Sequence, residues 1–202
     1  MKKLLLVFKV GFGGVVVAAV WVQLLEVPHT VFRITNFFSF FTIESNILGA
    51  LTLLVSAGFL LAGKRPRWLG YVRGAATLYM VVTGIVYGLL LRNIDVQITH
   101  PWVNNVLHYI FPCVLLADWL ADRPAALAFK KALWWLAFPF MYLAYSLVRG
   151  SIVHWYPYPF LNPQPHGYAR VATASAVIAL VGVALTLLLA KSTHLGTPKK
   201  RS

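Results

Sequence analysis

Six long apolar stretches follow one another along nearly the whole chain, and they constrain the fold more than any other feature. A helix that crosses the hydrocarbon core of a bilayer needs about 20 mainly apolar residues. The six stretches that meet this length are predicted to span the membrane: residues 4–25, 37–62, 69–91, 102–120, 132–148 and 168–190. We therefore predict an all-α polytopic membrane protein, with one six-helix domain over residues 1–202.

Composition excludes a soluble fold. Hydrophobic residues form 59% of the chain and charged residues only 11%, whereas a soluble domain of this size needs far more polar surface. Cys113 is the single cysteine, which excludes an intrachain disulfide and a multi-cysteine metal site. We predict neither a metal nor a cofactor.

The first apolar stretch has two interpretations. Lys2 and Lys3 ahead of an apolar run are typical of a cleaved signal peptide. However, Lys9 interrupts that run, and Trp21 and Gln23 stand where small residues would precede a cleavage site. We predict a retained first span.

Basic residues predict the orientation, because membrane insertion tends to leave Lys and Arg on the cytoplasmic side. Thirteen of the 18 fall on one side of the predicted spans: Lys2, Lys3, Lys64, Arg65, Arg67, Arg73, Arg123, Lys130, Lys131, Lys191, Lys199, Lys200 and Arg201. Four fall on the opposite side: Arg33, Arg92, Arg149 and Arg170. Both termini are therefore predicted to be cytoplasmic. We interpret the formal charge of +13 as the sum of basic residues that anchor helix ends to anionic lipid, and we predict no binding of nucleic acid. The basic tail could make a further contact with anionic lipid.

Polar residues inside spans are costly unless they face a partner or a cavity, which makes them candidates for function. Two spans hold most of them: Thr42, Glu44, Ser45 and Asn46 in the second, and Asn104, Asn105, His108 and Asp118 in the fourth. Helical periodicity places Thr42 on one face with Ser45 and Asn46. Glu44 is turned away from that face by about 200°. Asn104 and Asn105 share a stripe with His108.

Thr42 and His108 are predicted to lie at the same depth. Each falls about 8 to 9 Å inside its span, at about 1.5 Å per residue from the outer end. The order of helices in the bundle is not readable from one sequence, so their contact is a hypothesis. Pro112 clashes with the carbonyl of the residue four positions earlier, which predicts a bend at His108. The bend indicates either a polar pocket that opens outward or an ordinary packing kink.

A hydroxyl and an imidazole at one depth are the minimum for nucleophilic catalysis. The imidazole takes the hydroxyl proton during attack on a carbonyl, and amide or hydroxyl donors stabilise the oxyanion. Thr42 would be the nucleophile and His108 the base, with Asn46, Asn104 or Asn105 as donors. Alternatively, the threonine bonds its own backbone and the histidine is a structural hydrogen-bonding residue.

The longest outer segment, residues 149–167, is rich in aromatic residues and proline. Interfacial aromatic side chains and the stiffness of proline predict a surface loop. This loop either caps the outer helix ends or acts as a lid over a lipid-entry site.

Three segments carry a resemblance to a known family. They are Phe40-Phe41-Thr42-Ile43 at the head of the second span, Val106-Leu107-His108 with Pro112 four residues on, and Trp155-Tyr156-Pro157-Tyr158-Pro159-Phe160-Leu161 before the last span. Their order and spacing resemble the androgen-induced membrane protein family, a group of six-helix integral membrane threonine hydrolases that cleave fatty acid esters of hydroxy fatty acids. Glu44-Ser45-Asn46 and Asp118-Trp119 are similar to the bacterial branch of that family, which implies a bacterial inner membrane.

The resemblance implies that Thr42 is the nucleophile and His108 the catalytic histidine, with membrane lipids and a lipid ester as partners. The ester would enter laterally or from the outer leaflet, with its acyl chains in the bundle. Arg149 and Arg170 would hold a substrate carboxylate by bidentate hydrogen bonds, or else pair with Glu44 or anchor at the interface. The supporting or substrate-binding candidates are Asn46, Ser45, Asn104, Asn105, Glu44 and Arg149.

The main alternative is a transporter or lipid-binding protein whose polar stripe lines a path. A buried glutamate, asparagine and histidine would suit proton or cation coupling. Against it, Glu44 and Asp118 are predicted near opposite ends of their spans. A haem carrier is disfavoured because it needs a second histidine in the bundle, whereas four others fall in loops: His29, His100, His154 and His166. The natural substrate and the oligomeric state are not readable from the sequence.

Overall fold

The chain forms an all-helical integral membrane protein. The structure, a computed structural model, describes residues 2–28, 30–94, 100–165 and 167–195. Within these residues it has no strand, and six helices are long and apolar enough to cross a membrane. From the first span to the sixth they are Lys2–Leu25, Phe41–Leu61, Arg67–Leu91, Pro101–Ala121, Phe129–Val153 and Gly167–Ser192. The predicted fold class is confirmed. His29, His166 and the basic tail at 199–201 lie outside the described residues.

The second span begins later than predicted, at Phe41. A separate helix, Val31–Phe38, precedes it, and Ser39 ends that helix by donating its hydroxyl to the Thr35 carbonyl at 2.7 Å. Hydropathy cannot distinguish one long helix from two helices joined by an apolar turn, so the predicted start at residue 37 is wrong. Thr42 therefore lies in the first turn of its span.

The second, third and fourth spans form the centre of the bundle. In the most apolar 18-residue segment of each, 56% of the residues are buried, against 22%, 11% and 17% in the first, fifth and sixth spans. The second span packs against the first and third, and the third also packs against the fourth and sixth. Side chains on the central spans are therefore the best shielded from lipid, and Thr42 and His108 lie on two of these spans.

Two of the central spans contain a π-helical turn. Val106–Ile110 forms one in the fourth span, and Tyr87–Leu91 forms the other at the end of the third. Pro112 has no N–H to donate to the His108 carbonyl, and its ring would clash with that carbonyl in a regular helix. The irregularity predicted at His108 is therefore present, as a wider turn. Single π turns within α-helices are frequent at functional sites.

The segment after the fifth span folds back onto the bundle. A Cβ atom at Gly150 would lie 2.1 Å from the Tyr156 ring, so only glycine lets that ring pack against the end of the fifth span. The segment then forms a short 3-10 helix, Pro159–Leu161, and buries Tyr158 and Leu161. This segment packs over the end of the bundle, which fits both alternatives that the sequence leaves open, and it is called the cap segment below.

At the other end of the bundle, five charged side chains form a cluster, here called the charge cluster. The Lys9 ammonium pairs with Asp118 and lies 3.2 Å from the Asp122 carboxylate. Arg73 donates to Asp118 at 2.8 Å, and Arg65 reaches Asp122 at 2.6 Å. Burial by itself raises the pKa of Asp122, but the cations around it, Arg73 first, outweigh burial and hold that pKa below its usual value. The charge cluster joins the first, third and fourth spans.

Candidate functional site

The Thr42 hydroxyl and the His108 ring meet inside the bundle. Thr42 Oγ1 lies 3.3 Å from His108 Nε2, and the two residues are 7% and 3% exposed. Thr42 stands in the first turn of the second span, and His108 in the π turn of the fourth. This geometry confirms the predicted approach of a hydroxyl and a ring nitrogen. A hydroxyl that donates to Nε2 requires this nitrogen to be the unprotonated one.

Tyr87 fixes the plane of the His108 ring. The two rings stack with their centroids 3.9 Å apart and their planes 20° apart. The Asn104 side-chain amide donates to the Tyr87 hydroxyl at 2.7 Å, which ties the fourth span to the third. His108 Nδ1 is buried inside the bundle. In a neutral ring whose Nε2 accepts from Thr42, Nδ1 carries the proton.

Two tyrosine hydroxyls cap the start of the second span. The first amides of a helix have no partner within the helix, and the residue before this span, Phe40, makes no side-chain hydrogen bond to them. The Phe41 N–H donates instead to the Tyr142 hydroxyl at 3.3 Å, and the Thr42 N–H donates to the Tyr158 hydroxyl at 3.1 Å. The backbone of the candidate nucleophile is thus held by groups from the fifth span and the cap segment.

Tyr158 is a site residue that sequence reasoning missed. Its hydroxyl also lies 3.3 Å from Thr42 Oγ1. Burial raises the pKa of the Tyr158 hydroxyl, so the group keeps its proton and can donate it in a hydrogen bond. The aromatic run at 155–161 is the only sequence signal for it, and such runs are equally typical of the membrane interface.

Asn46 and Ser45 hold the backbone around Thr42. The Asn46 side-chain amide donates to the Thr42 carbonyl at 2.8 Å and to the Leu107 carbonyl at 3.2 Å. The Ser45 hydroxyl lies 3.0 Å from the Thr83 hydroxyl of the third span. Because two carbonyls engage the Asn46 amide, this residue clamps the second span to the fourth in this arrangement and offers no hydrogen to an oxyanion.

Asn105 and Glu44 have different surroundings. Asn105 is exposed, whereas Asn104 is half-buried and His108 is buried, so Asn105 does not share the stripe that the sequence predicts for the three residues. The π turn begins at the next residue and changes the angular spacing on which the stripe depends. Glu44 is partly buried, and its Oε2 has no hydrogen-bond partner among the described residues.

Arg149 braces the short helix before the second span. Its guanidinium donates to the Asn36 side-chain oxygen at 2.6 Å and lies 5.3 Å from the centre of the Trp155 ring. The ion pair with Glu44 that the sequence offers as an alternative is not formed within the described residues. Arg170 is exposed.

A cavity of about 120 Å³ lies beside Thr42, between the second, third, fifth and sixth spans. Most of the residues that line the cavity are apolar. The polar ones are Thr42, Thr83, Tyr142, Tyr158 and Ser175. Neither His108 nor Pro112 lines it. The sequence leaves two alternatives at the bend, a polar pocket or an ordinary packing kink, and this mainly apolar cavity is not the polar pocket, because His108 does not line it.

Comparison with family models, with curated proteins and with solved structures found no match to the chain. Fold and site together define an integral membrane protein with a buried hydroxyl–imidazole pair beside an apolar cavity. That pair is the feature on which a functional proposal can rest.

Proposed function

We propose that the protein is an integral membrane hydrolase of lipid esters, with Thr42 as nucleophile and His108 as general base. The observation that carries the proposal is the 3.3 Å contact between Thr42 Oγ1 and His108 Nε2, buried beside an apolar cavity. A hydroxyl nucleophile needs a base at about this distance, and such contacts are often slightly long without substrate. The resemblance to the androgen-induced membrane protein family supports the same two residues and a fatty-acid-ester substrate.

The reaction divides into two steps. His108 Nε2 takes the proton of Thr42 Oγ1 while this oxygen attacks the ester carbonyl carbon. The tetrahedral intermediate then breaks its bond to the alcohol oxygen, which leaves with the proton from His108, and the acyl group stays on Thr42. In the second step, His108 takes a proton from water, the water oxygen attacks the acyl carbon, and the fatty acid leaves as Thr42 recovers its proton.

The surroundings of Thr42 supply the remaining requirements. The apolar cavity provides a place for an acyl chain, since its walls are mainly side chains of Leu, Val, Phe and Ile. The Tyr158 hydroxyl, 3.3 Å from Thr42 Oγ1, is the donor we assign to the oxyanion. The distribution of basic residues supports an orientation with both termini in the cytoplasm and Thr42 nearer the outer leaflet. The resemblance favours a bacterial inner membrane.

A lipid probe that carries an activated ester tests the proposal on purified protein. We expect Thr42→Ala and His108→Ala each to lower labelling about a thousandfold or more, because neither member of such a pair works alone. Thr42→Ser keeps the nucleophilic hydroxyl and should retain labelling. Thr52→Ala is the matched control, because Thr52 lies on the same span and donates its hydroxyl to the Leu48 carbonyl at 2.7 Å. Labelling that survives both Thr42→Ala and His108→Ala would reject the hydrolase.

A transport or lipid-binding function is the second candidate, and the buried Glu44 Oε2 atom favours it because this atom has no partner among the described residues. A carboxyl group in that position suits proton or cation coupling. Under this function, Glu44→Gln abolishes substrate flux in proteoliposomes, and no covalent adduct forms. Under the hydrolase function, Glu44→Gln retains probe labelling.

A further inference from the structure

A basic groove of about 490 Å³ opens at the end of the bundle opposite to Thr42. It lies between the loop that joins the second and third spans and the segment that follows the fourth. Its volume falls within the roughly 300–1,000 Å³ that is typical of ligand pockets. Its charged lining is Lys64, Arg65, Arg67, Arg73, Asp122 and Arg123. This set of residues is called the basic groove below.

The floor of the basic groove carries uncompensated positive charge. Two lining residues, Arg73 and Asp122, belong to the charge cluster. In that cluster, three cations face two carboxylates: Lys9, Arg65 and Arg73 against Asp118 and Asp122. Both carboxylates already pair with more than one cation, so one positive charge is left over. An anion in the groove would offset that charge.

Three further cations surround the mouth, and all are exposed: Lys64, Arg67 and Arg123. Arg67 donates one N–H to the Ala126 carbonyl at 3.4 Å, and Arg123 donates one to the Leu195 carbonyl at 3.0 Å. A guanidinium group has five N–H donors, so both arginines retain donors of the kind that bind phosphate oxygens. Within the described residues, none of the three pairs with a carboxylate.

One wall of the basic groove is apolar. Phe59 and Leu60 line it, and the Phe59 ring packs edge to face on Trp68 with the centroids 5.5 Å apart. Trp68 is 52% exposed at the start of the third span, a position typical of a tryptophan at the membrane interface. Cationic and apolar surfaces side by side fit an anion that carries acyl chains better than they fit a free ion.

We propose that the basic groove binds the phosphate headgroup of an anionic membrane lipid. Arg67 and Arg123 contact the phosphate oxygens, and the acyl chains run along Phe59 and Trp68. This site is separate from the proposed hydrolase site, because the 21-residue second span sets the two ends roughly 30 Å apart at about 1.5 Å per residue.

Native mass spectrometry of the delipidated full-length protein in detergent tests the proposal with three probes: phosphatidylglycerol, phosphatidylcholine and inorganic phosphate. The variant is Arg67→Gln with Arg123→Gln. The matched control is Arg33→Gln with Arg92→Gln, which changes net charge equally through two exposed arginines at the Thr42 end. We expect the variant to bind phosphatidylglycerol about 30-fold more weakly than wild type and the control to bind it like wild type, since each basic residue near a lipid surface contributes about fivefold. Wild type should prefer phosphatidylglycerol to phosphatidylcholine.

Lys64→Gln, a single exposed change, should weaken phosphatidylglycerol binding about fivefold and guards against a folding defect in the double variant. The proposal is overturned if the variant and the control lose the same affinity, or if wild type binds both lipids equally. If inorganic phosphate displaces phosphatidylglycerol at an equal concentration, the groove is a site for free phosphate and the proposal of a lipid ligand is overturned.

Discussion

At the scale of the residue, Thr42 stands between an imidazole and a phenol. Its hydroxyl oxygen lies 3.3 Å from both His108 Nε2 and the Tyr158 hydroxyl. The Thr42 amide donates to the same Tyr158 oxygen, which leaves the phenol proton available for another acceptor. Under the proposed function, this neutral donor is already in place to stabilise the charge that would develop on the ester carbonyl oxygen beside Thr42.

Replacement of Tyr158 by phenylalanine tests this role. The ring and its packing remain, while the hydroxyl that contacts Thr42 is removed. We expect kcat for lipid-ester hydrolysis to fall about 10- to 100-fold with little change in KM, because a hydrogen bond to a charged group contributes about 1.5–3 kcal/mol. Tyr145→Phe is the matched control, since the Tyr145 hydroxyl contacts Ser39 at 2.8 Å and not Thr42. Equal losses in the two variants would contradict the role.

Residue patterns predict the Thr42–His108 pair but not its surroundings. Polar residues inside apolar stretches are few, so the pair could be selected from spacing and depth, with support from the resemblance. Tyr158 could not be predicted as a site residue, because its position depends on a chain reversal after the fifth span. Helical periodicity does not encode where a loop packs. The catalytic roles themselves remain predictions.

At the scale of the element, the charge cluster fastens the first span to the rest of the bundle. Lys9 is fully buried, and its ammonium contacts Asp118 and Asp122 at the end of the fourth span. Each carboxylate keeps an arginine partner without Lys9, so loss of the ammonium costs the charged hydrogen bonds that it makes, about 1.5–3 kcal/mol. The attachment of the first span to the bundle therefore relies on Lys9 to a degree that its apolar sequence does not indicate.

Lys9→Met should lower the unfolding free energy of the purified protein by about 1.5–3 kcal/mol, measured by denaturant unfolding in detergent. Lys3→Met, an exposed change in the same helix, should shift it by less than about 0.5 kcal/mol. A Lys9→Met protein as stable as Lys3→Met would show that the cluster does not fasten the first span.

The sequence predicts which segments form helices, but it does not predict which helices pack together. Six runs of apolar residues suffice to predict six spans, because the bilayer fixes the length of each. The same runs conceal the break between Val31–Phe38 and the second span, since the residues that close the short helix lie within an apolar run. The contact of Lys9 with Asp118 depends on helix order, which one sequence does not contain.

At the scale of the whole molecule, the two ends of the bundle differ in chemistry. One end holds Thr42, His108 and the cap segment, and the other holds the charge cluster and the basic groove. The distribution of Lys and Arg predicts that the second of these ends faces the cytoplasm.

Cysteine accessibility tests this orientation. In a Cys113→Ala background, Ser151→Cys places a thiol at the Thr42 end and Ala125→Cys at the opposite end, and both positions are exposed. A maleimide that cannot cross membranes should label intact cells through residue 151 but not through residue 125. A permeable maleimide should label both and serves as the control. The reverse pattern would invert the topology.

The two tyrosine hydroxyls that cap the start of the second span have a consequence for the order in which the protein assembles during synthesis. Thr42 is synthesised early, whereas Tyr142 and Tyr158, whose hydroxyls receive the first amides of its helix, emerge from the ribosome late. A partly translated chain thus carries Thr42 without the groups that hold its backbone in place. Assembly of the site around Thr42 therefore depends on synthesis of the fifth span and of the segment that follows it.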